Sequence, residues 1–239
     1  MTRGNAAIDP IERACPLGAC DGSGWILGPE DVARPCECRE RRLQRSRSRG
    51  VSSVIPARYR GVGFERPPVT EIEPMIVRFI RNFTDDLDAN LESGKGLWLM
   101  GDTGTGKTTL AMLVSKTALE RGHSVAIYSL PKLLARIRRT YDADAGEASY
   151  LEFFERLTSV DLLHIDDLGV EKSSDWVLEQ LYALINERYE TRRSIVVTTN
   201  LDQPRLEDQI GSRTVSRLVE ICGDPLPLFG EDRRYRLGA

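Results

Sequence analysis

The sequence predicts an α/β fold in which helices cover both faces of a parallel sheet. Short apolar runs typical of buried strands alternate along the chain with longer segments whose apolar residues follow helical spacing. A glycine-rich turn at 101–106 joins the first of these runs to the helix that follows it. Four of the five cysteines lie within the first 40 residues, outside this alternating pattern. We therefore expect a small domain at 1–50 and the α/β domain at 51–239.

The elements of the α/β domain can be placed from these patterns. A helix is predicted from Pro74, where apolar residues recur at positions 75, 76, 79, 80, 83, 87 and 91. Four apolar runs are predicted to be strands, at 97–100, 124–129, 161–167 and 194–200. Further helices are predicted at 107–121, from 131 onward and at 176–189.

Composition limits the class of protein. The chain has 239 residues, of which 41% are hydrophobic and 29% charged, which suits one good core and a small extra module. The sequence has no apolar run near the ~20 residues of a membrane helix and no apolar stretch of a secretory signal at its start, so we expect a cytoplasmic protein with reduced thiols. Residues 1–60 hold 11 Lys and Arg against 7 Asp and Glu, whereas the remainder holds 22 against 29. Any contact of the α/β domain with nucleic acid must therefore be local.

The glycine-rich turn has the spacing G-x-x-x-x-G-K-T of a phosphate-binding loop. Its predicted ATP-binding residues are Gly101, Asp102, Thr103, Gly104, Thr105, Gly106, Lys107, Thr108 and Thr109. The glycines let backbone N–H groups point at phosphates, and the following helix presents the positive end of its dipole. Lys107 is predicted to reach the β- and γ-phosphates, and the hydroxyl of Thr108 to ligate Mg²⁺. The strand before the loop and the helix after it argue against a chance match.

Two carboxylates end the third predicted strand. Asp166 is expected to hold Mg²⁺ through its water shell, and Asp167 to orient or polarise the attacking water. The alternative is a pair of exposed turn residues, which the apolar strand before them disfavours. Asn200 ends the next strand, where it would hold the attacking water or simply start a turn.

Arg213 and Arg217 are four residues apart, which places them on one face of a helix. One of them would act as an arginine finger that reaches the γ-phosphate in a neighbouring subunit. The alternative is a pair of surface arginines that pair with nearby acids.

The N-terminal cysteines have the spacing C-x4-C, fifteen residues, then C-x-C. Their predicted role is a tetrahedral site for Zn²⁺, formed by Cys15, Cys20, Cys36 and Cys38. Buried structural cysteines and disulfides are the alternatives, disfavoured by polar surroundings and by the expected reducing compartment. Cys222 reads as a small core residue. The arginine-rich segment at 39–49 is either a solvated linker or a docking surface.

Taken together, the motifs resemble those of the AAA+ ATPases of the DnaC/DnaI helicase-loader and IstB transposition-helper superfamily. The resemblance covers about 54–239, and its ordered pieces lie at 101–108, 162–169, 185–189, 198–201, 210–213 and 216–218. It implies a three-layer AAA+ fold and self-assembly around nucleotide. Because the sequence ends at Ala239, we expect little or no C-terminal lid domain. It also implies that Arg217, ahead of Arg213, is the arginine finger. An arginine of the final motif would sense nucleotide, with Arg236 the better match and Arg234 the second.

The resemblance also implies partners. Loaders carry helices that line a channel for single-stranded DNA in the region 131–160, whose basic residues here are Lys132, Arg136, Arg138 and Arg139. A solvated helix face is the alternative for these four. Loaders of the DnaI type are similar to this chain in having a zinc module that grips the helicase, so the cysteines favour a loader.

The expected function is that of a weak ATPase that loads a hexameric DnaB-type helicase onto single-stranded DNA, with six copies on the helicase. One alternative is an IstB-like transposition helper that assembles on double-stranded DNA. Another is a non-catalytic scaffold that ATP switches.

Overall fold

The computed structural model describes residues 15, 18–20, 23, 25–27, 32–36, 38, 54–142, 146–169 and 174–232. The arginine-rich segment at 39–49 and the two predicted sensor candidates, Arg236 and Arg234, lie outside the described residues. The chain separates into two compact units, Met1–Gly50 and Val51–Ala239.

The N-terminal unit contains an antiparallel hairpin of β1 (Trp25–Leu27) and β2 (Ala33–Pro35). Before the hairpin, the N–H of Gly18 donates to the carbonyl of Cys15 at 3.0 Å, and Gly18 has a φ of 61°. A positive φ of this size suits glycine. The turn lies between Cys15 and Cys20, and the hairpin lies between Cys20 and Cys36.

The second unit is built on a five-stranded parallel sheet. Its strands are β3 (Leu97–Gly101), β4 (Val125–Ser129), β5 (Leu162–Asp166), β6 (Ser194–Thr199) and β7 (Leu226–Leu228). Their order across the sheet is β4-β5-β6-β3-β7, and all neighbours are parallel. The four predicted strands are confirmed. The short edge strand β7, which contains Pro227, was not predicted.

Eight α-helices surround this sheet in the described part of the chain. They are α1 (Pro74–Asp85), α2 (Leu87–Glu92), α3 (Lys107–Arg121), α4 (Leu130–Asp142), α5 (Gly146–Ser159), α6 (Asp175–Glu190), α7 (Gln203–Ile210) and α8 (Ser212–Cys222). The single helix predicted from Pro74 is in fact two helices, because the chain turns at Asp86 (φ −94°, ψ 23°). Helix α7 was not predicted. Short 3₁₀ turns lie at Ala57–Tyr59 and Val69–Glu71.

Alternate residues of each strand enter cores on opposite faces of the sheet. Leu97 and Leu99 pack with α1, α2 and α3, whereas Trp98 between them packs with α4 to α8 on the other face. Val196 and Val197 alternate in the same way. The prediction of helices on both faces is therefore confirmed. Because all strands are parallel, their carboxyl ends, where loops carry function, meet at one edge.

Arg188 of α6 is fully buried and has backbone carbonyls as its partners. Its guanidinium donates to the carbonyls of Leu157 at 2.7 Å, Val160 at 3.0 Å and Ser194 at 2.6 Å. Burial, with the nearby charge of Arg193, lowers the pKa of Arg188 to about 9. The group is therefore still charged at neutral pH, and it joins the end of α5 to α6 and β6.

None of the described helices combines the length and the apolar character that crossing a membrane requires.

Candidate functional site

The glycine-rich loop runs from the end of β3 to the start of α3. Gly104 and Gly106 have φ values of 78° and 106°, in a region that L-residues with side chains rarely adopt. A Cβ at Gly106 would collide with the side chain of Ile72, and one at Gly104 with the carboxylate of Asp232. The loop therefore needs glycine at both positions, for backbone conformation and for space.

Lys107, the first residue of α3, is folded over the loop. It is 5% exposed, and its ammonium donates to the carbonyls of Gly101 at 2.8 Å and Asp102 at 2.5 Å. The hydroxyl of Thr105 donates to the same carbonyl of Asp102 at 2.8 Å. These bonds hold a positive charge at the helix N-terminus, where anions are favoured.

The loop is also hydrogen-bonded to the segment that follows β7. The N–H of Asp102 donates to the carbonyl of Leu228 at 3.0 Å, and the N–H of Gly230 donates to Oδ2 of Asp102 at 3.1 Å. Two hydrogen bonds therefore connect Asp102 of the loop to this segment.

The two predicted carboxylates lie at the end of β5 beside β6. The hydroxyl of Thr198 donates to Oδ1 of Asp166 at 2.7 Å and accepts from the N–H of Asp167 at 3.0 Å. Asp167 has a φ of 57°, a conformation that Asp and Asn tolerate better than most residues. Sequence reasoning missed Thr198, although a threonine near the end of a fully buried strand was a visible signal.

Asp166 is held in its ionised form. Burial raises the pKa of its carboxyl, but the His164 ring and the hydroxyls of Thr198 and Thr108 outweigh burial and keep the pKa below its ordinary value. Nε2 of His164 lies 3.9 Å from Oδ1 of Asp166, too far for a direct hydrogen bond, so its influence is electrostatic. His164 is itself fully buried, with Nδ1 3.0 Å from the hydroxyl of Ser115. The ionised carboxylate of Asp166 and the hydroxyl of Thr108 together form a ligand set that suits Mg²⁺.

The loop and the carboxylates line one cleft of about 500 Å³. Of the predicted residues, those that line it are Thr103, Gly104, Gly106, Lys107, Thr108, Thr109, Asp166, Asp167 and Asn200. Gly101, Asp102 and Thr105 support the loop from outside the cleft lining. The structure thus brings the predicted phosphate loop, both carboxylates and Asn200 together.

The remaining wall of the cleft comes from the segment before α1, which carried no motif. This wall is formed by Arg58, Tyr59, Val62, Pro68, Glu71 and Ile72. The guanidinium of Arg58 lies 4.5 Å from the centre of the Tyr59 ring. Burial raises the pKa of Tyr59, so its hydroxyl is neutral at physiological pH. An aromatic and aliphatic wall beside a phosphate loop suits a planar base.

The two predicted finger arginines lie on α8, and neither lines this cleft. Arg213 is exposed. The guanidinium of Arg217 lies 4.2 Å from the centre of the Tyr189 ring and donates to Glu220 at 2.9 Å. Hydrogen bonds from Tyr189 and Arg217 keep the pKa of Glu220 below its ordinary value despite an opposing desolvation. Arg217 is therefore in a defined position on the surface, away from its own cleft.

The four predicted DNA-binding residues are all exposed on α4. Lys132, Arg136 and Arg139 are spaced by four and three residues, so they share one face of the helix. Arg138 points elsewhere, with its guanidinium 4.8 Å from the centre of the Trp176 ring.

The four N-terminal cysteines come together in the small unit. Their sulfur atoms all lie within 4.8 Å of one another, with Cys15 and Cys36 at 3.8 Å and Cys20 and Cys38 at 3.5 Å. Tetrahedral zinc with Zn–S bonds of about 2.3 Å places its sulfurs about 3.8 Å apart. The cluster therefore fits a zinc module. Burial and the neighbouring thiols raise the pKa of Cys38 to about 12, so a metal ion bound there would supply the positive charge that stabilises its thiolate.

Comparison with known proteins identifies related chains. The family described as IstB-like ATP binding protein matches residues 86–218. The replicative helicase loader DnaC of Buchnera aphidicola subsp. Schizaphis graminum is 25% identical over 213 residues, which cover 88% of this chain and 81% of that protein. DnaC of Escherichia coli K12 is 27% identical over 138 residues, which cover 58% of this chain and 54% of that protein. The chain thus spans about half the length of this second relative.

A solved structure agrees with these sequence matches. The crystal structure of the DnaC helicase loader has a TM-score of 0.55 and 28% identity, and the match covers 66% of this chain and 89% of that one. The shared part is an AAA+ domain with the sheet described above. Because the family match extends over more than half of the sequence, the chain belongs to the family of IstB-like ATP-binding proteins.

Proposed function

We propose that this protein is an ATP-dependent loader of a hexameric replicative helicase onto single-stranded DNA. The observation that carries the proposal is the similarity to a protein named as a replicative helicase loader over 88% of this chain. The zinc module would bind the helicase, and the α/β domain would bind ATP and the DNA strand.

The cleft supports the nucleotide part of the proposal. Backbone N–H groups of the loop and the ammonium of Lys107 would hold the phosphates once that ammonium exchanges its two loop carbonyls for phosphate oxygens. Thr108 and Asp166 would hold Mg²⁺, which would neutralise charge on the phosphates. The base would lie against Tyr59 and Ile72.

Hydrolysis would use the polar residues at the edge of the sheet. Asp167 and Asn200 line the same cleft and would orient the attacking water toward the γ-phosphate. Because Arg217 lies outside its own cleft, a single chain would not complete this site. A second copy would supply Arg217, or the exposed Arg213, to stabilise the charge of the transition state, so turnover would depend on assembly.

The basic face of α4 would follow the DNA backbone. Lys132, Arg136 and Arg139 project from successive turns, about 5–6 Å apart, which is close to the spacing of phosphates in an extended strand. Arg138, whose guanidinium packs on the Trp176 ring, would add a further positive charge for binding the DNA strand. Such a surface reads charge and not sequence, as a loader that acts on any unwound strand requires.

A second candidate function is that of a transposition helper that assembles on double-stranded DNA. The observation that favours it is the family match itself, which is to IstB-like proteins. This candidate predicts ATP-dependent filaments on duplex DNA and no contact with a helicase.

Size-exclusion chromatography of the full chain with the replicative helicase of its source, with and without ATP, tests the proposal. We expect a stable complex, and we expect a Cys36→Ser/Cys38→Ser variant to lose it while retaining ATP binding. No complex under either condition would contradict the loader proposal, and filaments on duplex DNA would then establish the transposition helper.

A further inference from the structure

A carboxylate of the chain itself lies against the phosphate-binding loop. The position that a Cβ would take at Gly104 is filled by the side chain of Asp232, with Oδ1 as the nearest atom. Gly104 lines the nucleotide cleft and Asp232 is half-buried. The carboxylate therefore packs directly on one of the glycines whose backbone the loop would offer to phosphate.

The backbone before Asp232 holds this carboxylate in place. β7 pairs with β3 so that Leu228 lies opposite Gly101. Beyond the strand, Gly230 donates its N–H to the side chain of Asp102 at 3.1 Å. The segment from Leu228 to Asp232 thus follows the loop from Gly101 to Gly104, and the fold delivers Asp232 to this position.

The loop attracts anions of any kind. Its N–H groups converge, and the N-terminus of α3 adds a positive partial charge. The carboxylate of Asp232 supplies negative charge beside Gly104. A triphosphate brings several negative charges to the same few ångströms, where partial burial strengthens repulsion between like charges.

We propose that Asp232 is a determinant of nucleotide affinity whose carboxylate competes with the nucleotide for the loop. ATP binds to chains in which the segment Gly230–Asp232 has moved away from Gly104. The apparent dissociation constant for ATP is therefore the intrinsic constant divided by the fraction of such chains. The coupling is reciprocal: the factor by which the docked segment weakens ATP binding is also the factor by which bound ATP weakens docking of the segment. This inference rests on the proposed role of the loop in ATP binding.

The first test is the substitution Asp232→Asn, which keeps the shape of the side chain and removes its charge. Titration of the full chain with Mg-ATP by calorimetry should show binding about five- to tenfold tighter than in the unchanged protein. The matched control is Asp224→Asn, which makes the same change in net charge at an exposed position before β7. Its affinity should stay within about twofold of the unchanged protein, since a distant exposed charge is screened.

Two outcomes would overturn the inference. If Asp232→Asn binds ATP with equal or lower affinity while the unchanged protein binds normally, Asp232 does not compete, and the proposed function stands. If neither protein binds ATP, the proposed function fails together with this inference.

Hydrogen exchange gives a second and independent measurement. In the unchanged protein, a non-hydrolysable ATP analogue should speed exchange of the Gly230 amide, because its bond to Asp102 opens, while it protects the loop at 103–108. In Asp232→Asn the Gly230 amide should already exchange faster without nucleotide. Protection of Gly230 by the analogue would contradict displacement of the segment.

Discussion

The hydroxyl of Thr198 donates a 2.7 Å hydrogen bond to Oδ1 of Asp166 and so joins the ends of β6 and β5. The hydroxyl oxygen of Thr198 also accepts a hydrogen bond from the N–H of Asp167 at 3.0 Å. One buried hydroxyl therefore positions both carboxylates of the cleft relative to the next strand. Replacing Thr198 with Val removes both bonds with little change in volume.

For Thr198→Val we expect the Michaelis constant for Mg²⁺ to rise and turnover to fall about tenfold, since a lost hydrogen bond to a charged group costs about 1.5–3 kcal/mol. Steady-state ATPase assays at varied Mg²⁺ measure both. The control is Thr199→Val: the Thr199 hydroxyl donates to the carbonyl of Leu168 at 2.7 Å and does not contact either carboxylate. Equal kinetic losses in the two variants would mean that Thr198 acts only through stability.

Asp167→Asn should separate binding from hydrolysis. Asparagine tolerates the φ of 57° at this position, so the backbone should be unchanged while the charge that polarises water is lost. We expect normal ATP affinity and turnover reduced about 10²-fold or more. Lys107→Ala, in contrast, should weaken ATP binding as well. Wild-type turnover in Asp167→Asn would exclude the proposed role of Asp167.

Arg217→Ala should abolish the rise of ATPase activity with protein concentration. An arginine supplied by a neighbouring subunit is worth about 10³-fold or more in turnover, and this variant removes it. Glu220→Gln is the matched control, since it alters the partner of Arg217 and leaves the guanidinium in place. Turnover measured across a protein concentration series should remain cooperative in the control, and cooperative turnover in Arg217→Ala would assign the finger elsewhere.

Zinc should bind the N-terminal unit with one equivalent per chain. Removal of one ligand by Cys38→Ser should reduce the bound metal to less than about half an equivalent after dialysis, because structural zinc sites require all four ligands. Atomic absorption of the purified chain measures this. Cys222→Ser, which alters a cysteine in the other unit, should retain the full equivalent.

Asp161 should make stability depend on pH. Burial raises the pKa of its carboxyl, but hydrogen bonds from Ser124 and the charge of Arg193 outweigh burial and keep the pKa below its ordinary value. The unfolded chain therefore binds the proton first as pH falls. The contribution of Asp161 is complete above the unfolded pKa of about 3.9, and it is lost as pH falls through the lower folded value.

Asp161→Asn should lower the free energy of unfolding at pH 7 by about 1 kcal/mol, a modest value because the side chain is 35% exposed. Urea denaturation from pH 7 to pH 3 should show this difference shrink in acid. Asp85→Asn, at an exposed position on α1, should show a smaller difference. A constant loss in Asp161→Asn across the pH range would mean that shape, and not charge, is what the substitution removes.

Much of the fold follows from sequence because its strands are apolar and its glycines have specific roles. The runs at 97–100 and 194–200 are almost wholly buried, and such runs are hard to place anywhere except in a covered sheet. β7 escaped prediction because three residues that include a proline carry no strand pattern, and edge strands tolerate proline.

The predicted part of the site consists of residues whose chemistry is tied to a fixed spacing, such as Lys107 after the loop and Asp166 after its strand. Thr198, Asp232 and the wall around Tyr59 could not be found in this way. Their positions depend on which strands are neighbours and on how the segments before α1 and after β7 return to the loop. That information lies in tertiary structure and not in local spacing.

The buried guanidinium of Arg188 has a mechanical consequence. Its hydrogen bonds to the carbonyls of Leu157 and Ser194 restrict movement of α5, α6 and the start of β6 relative to one another. A shift of α5 by one bond length would stretch hydrogen bonds to a charged donor, at a cost of about 1.5–3 kcal/mol each. The ring of the next residue, Tyr189, packs against the guanidinium of Arg217. A displacement of α5 would therefore be transmitted through Arg188 to α6, and α6 contacts Arg217, the arginine proposed to act on a neighbouring subunit.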